Sequence, residues 1–122
     1  MNGYAYINNQ GYILEVSQEK LDLPVIQGIK TSEEKIVAGN RLEKEDLEKL
    51  ETVISITNIW KNNDIEQKIT SIDITNKLEY TLYVEEEKQK IYLGDESNLN
   101  NKILWAQAIM KDNKGIEGEI YV

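Results

Sequence analysis

The sequence contains no cysteine, no histidine and only one proline. The absence of cysteine excludes disulfide bonds and thiolate metal sites, and the absence of histidine removes the commonest general base and metal ligand. The chain also lacks a basic stripe of the kind that binds nucleic acid, and no apolar run approaches the ~20 residues that span a bilayer. We therefore expect no nucleic-acid partner, no metal site, no cofactor and no catalytic residues.

What is present is the composition of one soluble-type globular domain of 122 residues, 40% of them apolar. Acids outnumber bases by 22 to 14, which gives a formal charge of −8 and favours a partner with a basic patch. The opening MNGYAYINN begins abruptly in strand-like sequence. Residues 1–3 are therefore predicted to be a start supplied for expression of a piece of a longer chain, and residues 4–122 to be the domain.

Hydrophobic periodicity predicts an alternation of strands and helices along the chain. Residues 4–16 form a predicted hairpin, 21–29 an irregular apolar segment that crosses the core, and 41–60 the first helix. Strands are predicted within 68–75, 78–86 and 90–94, a second helix from 97 to a stop at Gly115, and a last strand at 118–122. The order β-β-loop-α-β-β-β-α-β predicts an α+β fold, a mainly antiparallel sheet with two helices packed against it.

Two tryptophans and two acidic stretches are considered as candidate functional residues. Packing is the simpler role for Trp60 and Trp105, but Trp105 lies one position from the apolar stripe of its helix, and a rim position next to the last strand would suit a binding hot spot. The run Glu85–Glu87 is interpreted as a solvated turn. Asp95 and Glu96 precede a helix and are interpreted as complementing its dipole.

The last five residues, GEIYV, have strand propensity and raise the question of where the strand lies. Within the sheet it would be an ordinary paired strand. At the edge it would leave N–H and C=O groups open to another polypeptide.

Taken in order, several stretches resemble the C-terminal β domain of the FtsQ/DivIB cell-division proteins. The segment YINNQGYILEV resembles the opening hairpin of that domain, and LPVIQG resembles its Leu-Pro-apolar-apolar-x-Gly segment. The segments YTLYVEEEKQKIYLG, NNKILWAQAI and GEIYV resemble its central strand-turn-strand, its Lys-apolar helix and its terminal strand. One departure is that proteobacterial members tend to end on Asp-Leu-Arg-Tyr, where this chain has Glu-Ile-Tyr-Val.

The resemblance implies a non-enzymatic interaction domain of the divisome, acting in septum formation. Family members carry a transmembrane helix and a POTRA domain before this β domain, which lies on the extracytoplasmic side of the cell membrane at the division septum. Their last strand accepts a strand from a DivIC/FtsB-like partner, which also binds an FtsL-like protein. On this chain the resemblance places the partner-binding residues at Glu119, Ile120, Tyr121 and Val122, with Lys77 near the same region. Trp105 is a further candidate because of its rim position on the second helix. The fragment alone is expected to be monomeric.

Two other functions are compatible with the sequence. One is a module that binds cell-wall glycan, which should expose coplanar aromatic rings on one face. The other is a carboxylate-based wall hydrolase, which needs two carboxyl groups roughly 5–10 Å apart in a cleft.

Overall fold

Seven strands and two α-helices make up the described part of the chain, which in this computed structural model comprises residues 3–86, 88–113 and 117–122. The elements are β1 (Tyr4–Ile7), β2 (Ile13–Ser17), β3 (Val25–Gln27), α1 (Lys44–Asn62), β4 (Ile69–Asp73), β5 (Tyr80–Val84), β6 (Gln89–Gly94), α2 (Leu99–Asp112) and β7 (Gly118–Tyr121). A short 3₁₀ turn at Glu33–Lys35 precedes α1. The predicted α+β fold, mostly antiparallel, and the predicted element order are confirmed.

The main sheet has five strands in the order β3-β4-β5-β6-β7, and β1 and β2 form a separate antiparallel hairpin. The pairs β4–β5 and β5–β6 are antiparallel, whereas β3–β4 and β6–β7 are parallel. Each parallel pair is joined through a helix, as a parallel connection requires. Both crossovers run in the same direction across the sheet, so right-handed connections place α1 and α2 on the same face.

The core lies between that face and the two helices. A row of paired residues crosses all five strands and points into it: Ile26, Ile72, Leu82, Ile91 and Ile120. The helices contribute residues at helical spacing, namely Leu50, Val53, Ile56 and Trp60 from α1 and Leu99, Ile103, Ala106 and Met110 from α2. The α2 stripe and the inward alternation of β5 and β6 are as predicted, because period-two and period-3.6 patterns report burial directly.

Some local predictions are wrong or lie outside the described residues. The segment 21–29 is not irregular throughout, because Val25–Gln27 pairs in parallel with β4. The second helix, predicted from 97, begins at Leu99, and its N-cap residue Asn98 has a φ of +53° and makes no capping hydrogen bond through its side chain. The predicted helix stop at Gly115 and the acid at Glu87 lie outside the described residues.

The start of α1 is tied to the loop after β3 by one buried carboxylate. Asp46 is fully buried and accepts hydrogen bonds from the backbone N–H groups of Lys30 and Thr31 and from the Thr31 hydroxyl. The Thr31 hydroxyl in turn accepts from the N–H of Glu43, at 2.9 Å. The loop and the first turn of α1 therefore share a single hydrogen-bond network.

Candidate partner-binding edge

The last strand, β7, lies at one edge of the five-stranded sheet. It pairs in parallel with β6 on one side, and within the described residues no strand pairs with it on the other. The opposite edge is formed by β3, which is only three residues long. An edge strand presents backbone groups that another chain can satisfy.

The hydrogen bonds to β6 fix which way each β7 backbone group points. The N–H of Gly118 donates to the carbonyl of Lys88 at 3.0 Å, and the N–H of Val122 donates to that of Tyr92 at 3.3 Å. Because a strand repeats every two residues, the N–H of Ile120 also points toward β6. The inward-pointing backbone groups of β7 are therefore used within the sheet.

The intervening residues, Glu119 and Tyr121, direct their N–H and C=O groups away from β6. Within the described residues β6 is the only strand paired with β7, and none of the backbone hydrogen bonds outside the helices and strands involves these four groups. They lie along the open edge with a spacing of two residues. That is the pattern that an added strand would pair with.

The side chains of β7 divide between the two faces of the sheet. Ile120 is 7% exposed and belongs to the core. Glu119 and Tyr121 lie on the face without helices, and Tyr121 is 68% exposed. A strand added here would therefore meet an apolar surface on one side and a polar, aromatic surface on the other.

On the open face, Tyr121 and Glu119 form a structured pair. The ring of Tyr121 stacks on that of Tyr92, with centroids 4.5 Å apart and planes within 7°. The hydroxyl of Tyr121 donates to Oε2 of Glu119 at 2.8 Å, and the hydroxyl of Tyr92 to Oε1 at 3.4 Å. The hydrogen bond to Glu119 raises the pKa of Tyr121 to about 12, because the neutral phenol is the form that donates to the carboxylate.

Lys90 continues this face one strand further into the sheet. Its ammonium lies 4.9 Å from the ring centre of Tyr92 and 5.4 Å from that of Tyr83, within cation–π range. Interaction with the Tyr92 side chain is the main reason that the pKa of Lys90 is raised. Sequence reasoning did not single out Lys90 or Tyr83, although both fill outward positions between the predicted core residues of β5 and β6.

Trp105 lies on α2 and is 63% exposed, so packing in the core is the wrong interpretation for it. The flank of α2 that faces α1 is identified by Gln107, whose Nε2 donates to the carbonyl of Asn63 at the end of α1, at 3.3 Å. At 100° per residue, Trp105 falls on the other flank, turned away from α1 and toward the β7 side, together with Ile109. The predicted rim position suits this placement.

Lys77 is exposed in the connection between β4 and β5. The β4–β5 connection lies at the same end of the sheet as Val122, because the strands β4, β6 and β7 run in the same direction. Two strands, β5 and β6, separate it from β7, which at the usual strand spacing is about 10 Å or more. Lys77 therefore shares an end of the sheet with β7 but is not its neighbour.

The other side chains singled out from the sequence make hydrogen bonds within the fold. Trp60 is buried in the core, and its indole N–H donates to the carbonyl of Gln67 at 2.8 Å. Glu85 lies on an exposed turn and accepts from the N–H of Lys68 at 3.1 Å. Asp95 accepts hydrogen bonds from the hydroxyl and N–H of Ser97 and from Lys102. These contacts lower the pKa of Asp95, and those with Ser97 contribute most.

Among the described residues, no cluster of acidic side chains is arranged to hold a metal ion. Neither helix in the described ranges has the length and hydropathy needed to cross a membrane.

The fold and its open edge define a class: an α+β domain whose sheet, in the part of the chain that the structure describes, ends on a short strand with outward-pointing backbone groups. The family model described as FtsQ/DivIB, C-terminal related, matches residues 1–117, and the chain belongs to this family. The match stops one residue before β7 and includes all the other strands and both helices. Comparison with curated proteins gives no match, and comparison with solved structures gives none either. Membership makes this a cell-division domain of the FtsQ/DivIB type and implies interactions with other divisome proteins.

Proposed function

We propose that this domain is a non-enzymatic docking module of the divisome that binds a DivIC/FtsB-like partner, in complex with an FtsL-like protein, by strand addition at β7. The natural protein would be anchored in the cell membrane, with this domain on the extracytoplasmic side at the division septum. Capture of a strand there would couple assembly of the partner complex to septum formation. The family match supports the cell-division setting.

The observation that carries the proposal is the orientation of the backbone of Glu119 and Tyr121. Their N–H and C=O groups point away from β6, and β7 is the outermost strand on that side. Main-chain hydrogen bonds supply much of the affinity in strand addition, while alternate side chains supply specificity. The edge therefore offers a binding mode that needs no particular sequence match to the rest of the family at the terminal strand.

The surroundings of β7 support a protein partner. At 100° per residue, Ile109 and Trp105 fall on the β7 flank of α2, where Ile109 packs against the core and Trp105 is exposed, so this flank offers apolar side chains to a partner. Exposed aromatic residues of this kind are frequent interface hot spots. The formal charge of −8 favours association with a basic segment.

Replacement of Glu119 by proline tests strand addition directly. The N–H of residue 119 points outward, so proline removes a donor that only the partner would use, and proline is tolerated at the open side of edge strands. We expect Glu119→Pro to weaken binding of the DivIC-type extracytoplasmic domain about a hundredfold, measured by titration calorimetry. The matched control is Glu119→Ala, which loses the same side chain but keeps the N–H.

Amide shifts in an NMR titration of the unmodified domain provide the second readout. Strand addition predicts shifts centred on residues 118–122, with new protection of the Glu119 and Tyr121 amides from hydrogen exchange. Equal affinities for the proline and alanine variants would refute the mechanism, and so would shifts centred on β3 or the β1–β2 hairpin. Circular dichroism of both variants establishes that each remains folded.

Glycan binding is the second candidate, because Tyr83, Tyr92 and Tyr121 share the open face. Tyr92 and Tyr121 are, however, stacked face to face, and Lys90 lies over the rings of Tyr83 and Tyr92. Of this stacked pair, the outer face of Tyr121 is the one left for a sugar ring. Co-sedimentation with purified cell wall separates the two functions: protein capture predicts that the domain stays in the supernatant, and glycan binding that it pellets.

A further inference from the structure

We infer that the strand docked on β7 carries an arginine opposite Glu119, and that Glu119 and Tyr121 together form the recognition site for its guanidinium group. This inference rests on the proposed function and adds the chemistry of the partner strand to it. Successive side chains of the docked strand are expected to alternate between the two faces of the sheet, with the arginine on the open face and an apolar residue on the helix face.

The position of this residue follows from the strand geometry. Because the N–H and C=O of Glu119 point outward, Glu119 and the residue opposite it in an antiparallel added strand would form a hydrogen-bonded pair, with Cα atoms about 5.5 Å apart. Their side chains would lie side by side on the open face. The same two-residue parity holds for a parallel added strand, so the conclusion does not depend on strand direction.

The Glu119 carboxylate is held in place by hydrogen bonds, and no basic side chain of the described residues pairs with it. The hydroxyls of Tyr121 and Tyr92 donate to its two oxygens, at 2.8 and 3.4 Å. A carboxylate has about four acceptor positions, so room remains for two more donors. Among the described residues, no salt bridge includes Glu119.

The basic residue that lies beside Glu119 in the sheet, Lys90, interacts with aromatic rings and not with this carboxylate. Lys90 is the cross-strand neighbour of Glu119 in the β6–β7 register. Its ammonium nevertheless lies over the rings of Tyr83 and Tyr92. The charge of Glu119 therefore remains available at the edge of the sheet, where the side chain of an added strand would meet it.

The ring of Tyr121 favours arginine over lysine at this place. Its inner face is covered by Tyr92, its hydroxyl is bound to Glu119, and the side chain is still 68% exposed. A guanidinium group is planar, can donate two parallel hydrogen bonds to a carboxylate and can stack on an aromatic ring. Lysine would supply only a point charge.

The apolar half of the strand pattern is set by the helix face. Ile120 points into the core, and Ile109 of α2, which packs against that core, falls on the β7 flank of the helix. A partner residue opposite Ile120 would therefore be shielded from water on that side, which favours an apolar side chain. The predicted partner segment reads as arginine and apolar residues in alternation.

The experiment measures binding of the DivIC-type extracytoplasmic domain to the wild-type domain and to four variants, at low and high salt. We expect Glu119→Gln and Tyr121→Leu each to weaken binding about tenfold at low salt, with the effect of Glu119→Gln shrinking at high salt because screening weakens the ion pair. Tyr121→Phe keeps the stacking surface and should lose much less affinity than Tyr121→Leu. Glu51→Gln, an exposed acid on α1, changes the net charge equally and should bind as the wild type does.

Charge reversal then identifies the partner residue. Each arginine of the partner's strand-forming segment is changed to glutamate, and we expect one such variant to lose binding to the wild type and regain it with Glu119→Arg. If the wild type binds through residues 118–122 but Glu119→Gln and Glu51→Gln bind equally well, this inference is wrong and the proposed function stands. If the wild type does not bind at all, the proposed function itself is overturned.

Discussion

The carboxylate of Asp46 offers the most direct test of what holds this domain together, because its removal leaves several buried donors without an acceptor. Asp46 accepts from the N–H of Lys30 at 2.9 Å, from the N–H of Thr31 at 2.7 Å and from the Thr31 hydroxyl. The side chain is fully buried. The change to alanine removes all of these hydrogen bonds and leaves a cavity at the first turn of α1.

The expected magnitude follows from the number and kind of these hydrogen bonds. A hydrogen bond to a charged group contributes about 1.5–3 kcal/mol, and such contributions are not additive within one network. We therefore expect Asp46→Ala to lower the free energy of unfolding by about 4 kcal/mol. Asp46→Asn keeps one acceptor oxygen and should cost about 2 kcal/mol. Since domains of this size are stable by only about 5–15 kcal/mol, the alanine variant should lose a large fraction of its stability.

Urea unfolding followed by circular dichroism measures these differences. Glu51→Ala is the matched control, since Glu51 is an exposed acid on the same helix and should change stability by less than about 0.5 kcal/mol. If Asp46→Ala loses less than about 1 kcal/mol of unfolding free energy, this network contributes little to the stability of the domain. Thr31→Val, which removes the hydroxyl that joins Asp46 to the N–H of Glu43, should give an intermediate loss of about 1–2 kcal/mol.

Two further predictions concern the binding edge. Trp105→Ala should weaken partner binding at least tenfold while changing the free energy of unfolding by less than about 1 kcal/mol. The control is Leu104→Ala, on the α1 flank, which should leave binding unchanged. Unfolding of the Trp105 variant would mean that the residue is part of the core. An ultraviolet pH titration should show one tyrosine ionising at about 12, and Glu119→Gln should bring that transition down toward the ordinary value, because the phenolate of Tyr121 would no longer face a negative carboxylate. A transition unaffected by Glu119→Gln would contradict the Glu119–Tyr121 pairing.

The sequence was sufficient for the fold where side chains report burial by their spacing. The α2 stripe from Leu99 to Met110 and the inward residues of β5 and β6 follow period 3.6 and period two, and these elements were predicted correctly. The strand β3 was missed because it is only three residues long and its residues show no alternation that distinguishes a strand from irregular apolar chain. Its pairing with β4 depends on a contact across more than forty residues of sequence.

The candidate site was only partly accessible to sequence reasoning. Residues 119–122 were singled out by strand propensity and by resemblance to the family, but neither gives the direction of a backbone group. The role of Asp46 could not be predicted from the sequence, because its hydrogen bonds to the loop at Thr31 join positions 15 residues apart. The Tyr92–Tyr121 stack likewise depends on the parallel β6–β7 register, which periodicity does not encode.

The position of β7 at the edge follows from the connectivity of the sheet. The hairpins β4–β5 and β5–β6 occupy one side of β6, so a parallel strand that returns through α2 can pair with β6 only on its outer side. Such an edge invites pairing with a second copy of the same chain, and native proteins discourage this with charged side chains. Glu119 supplies that charge: two β7 strands pairing antiparallel in register at this residue would bring two carboxylates together, whereas a basic strand would relieve the charge. We therefore expect the domain to be monomeric alone, and Glu119→Gln, which removes the repulsion, to increase self-association at high concentration in sedimentation experiments. A variant no more associated than the wild type would show that β7 is kept from self-pairing by its short length and not by this carboxylate.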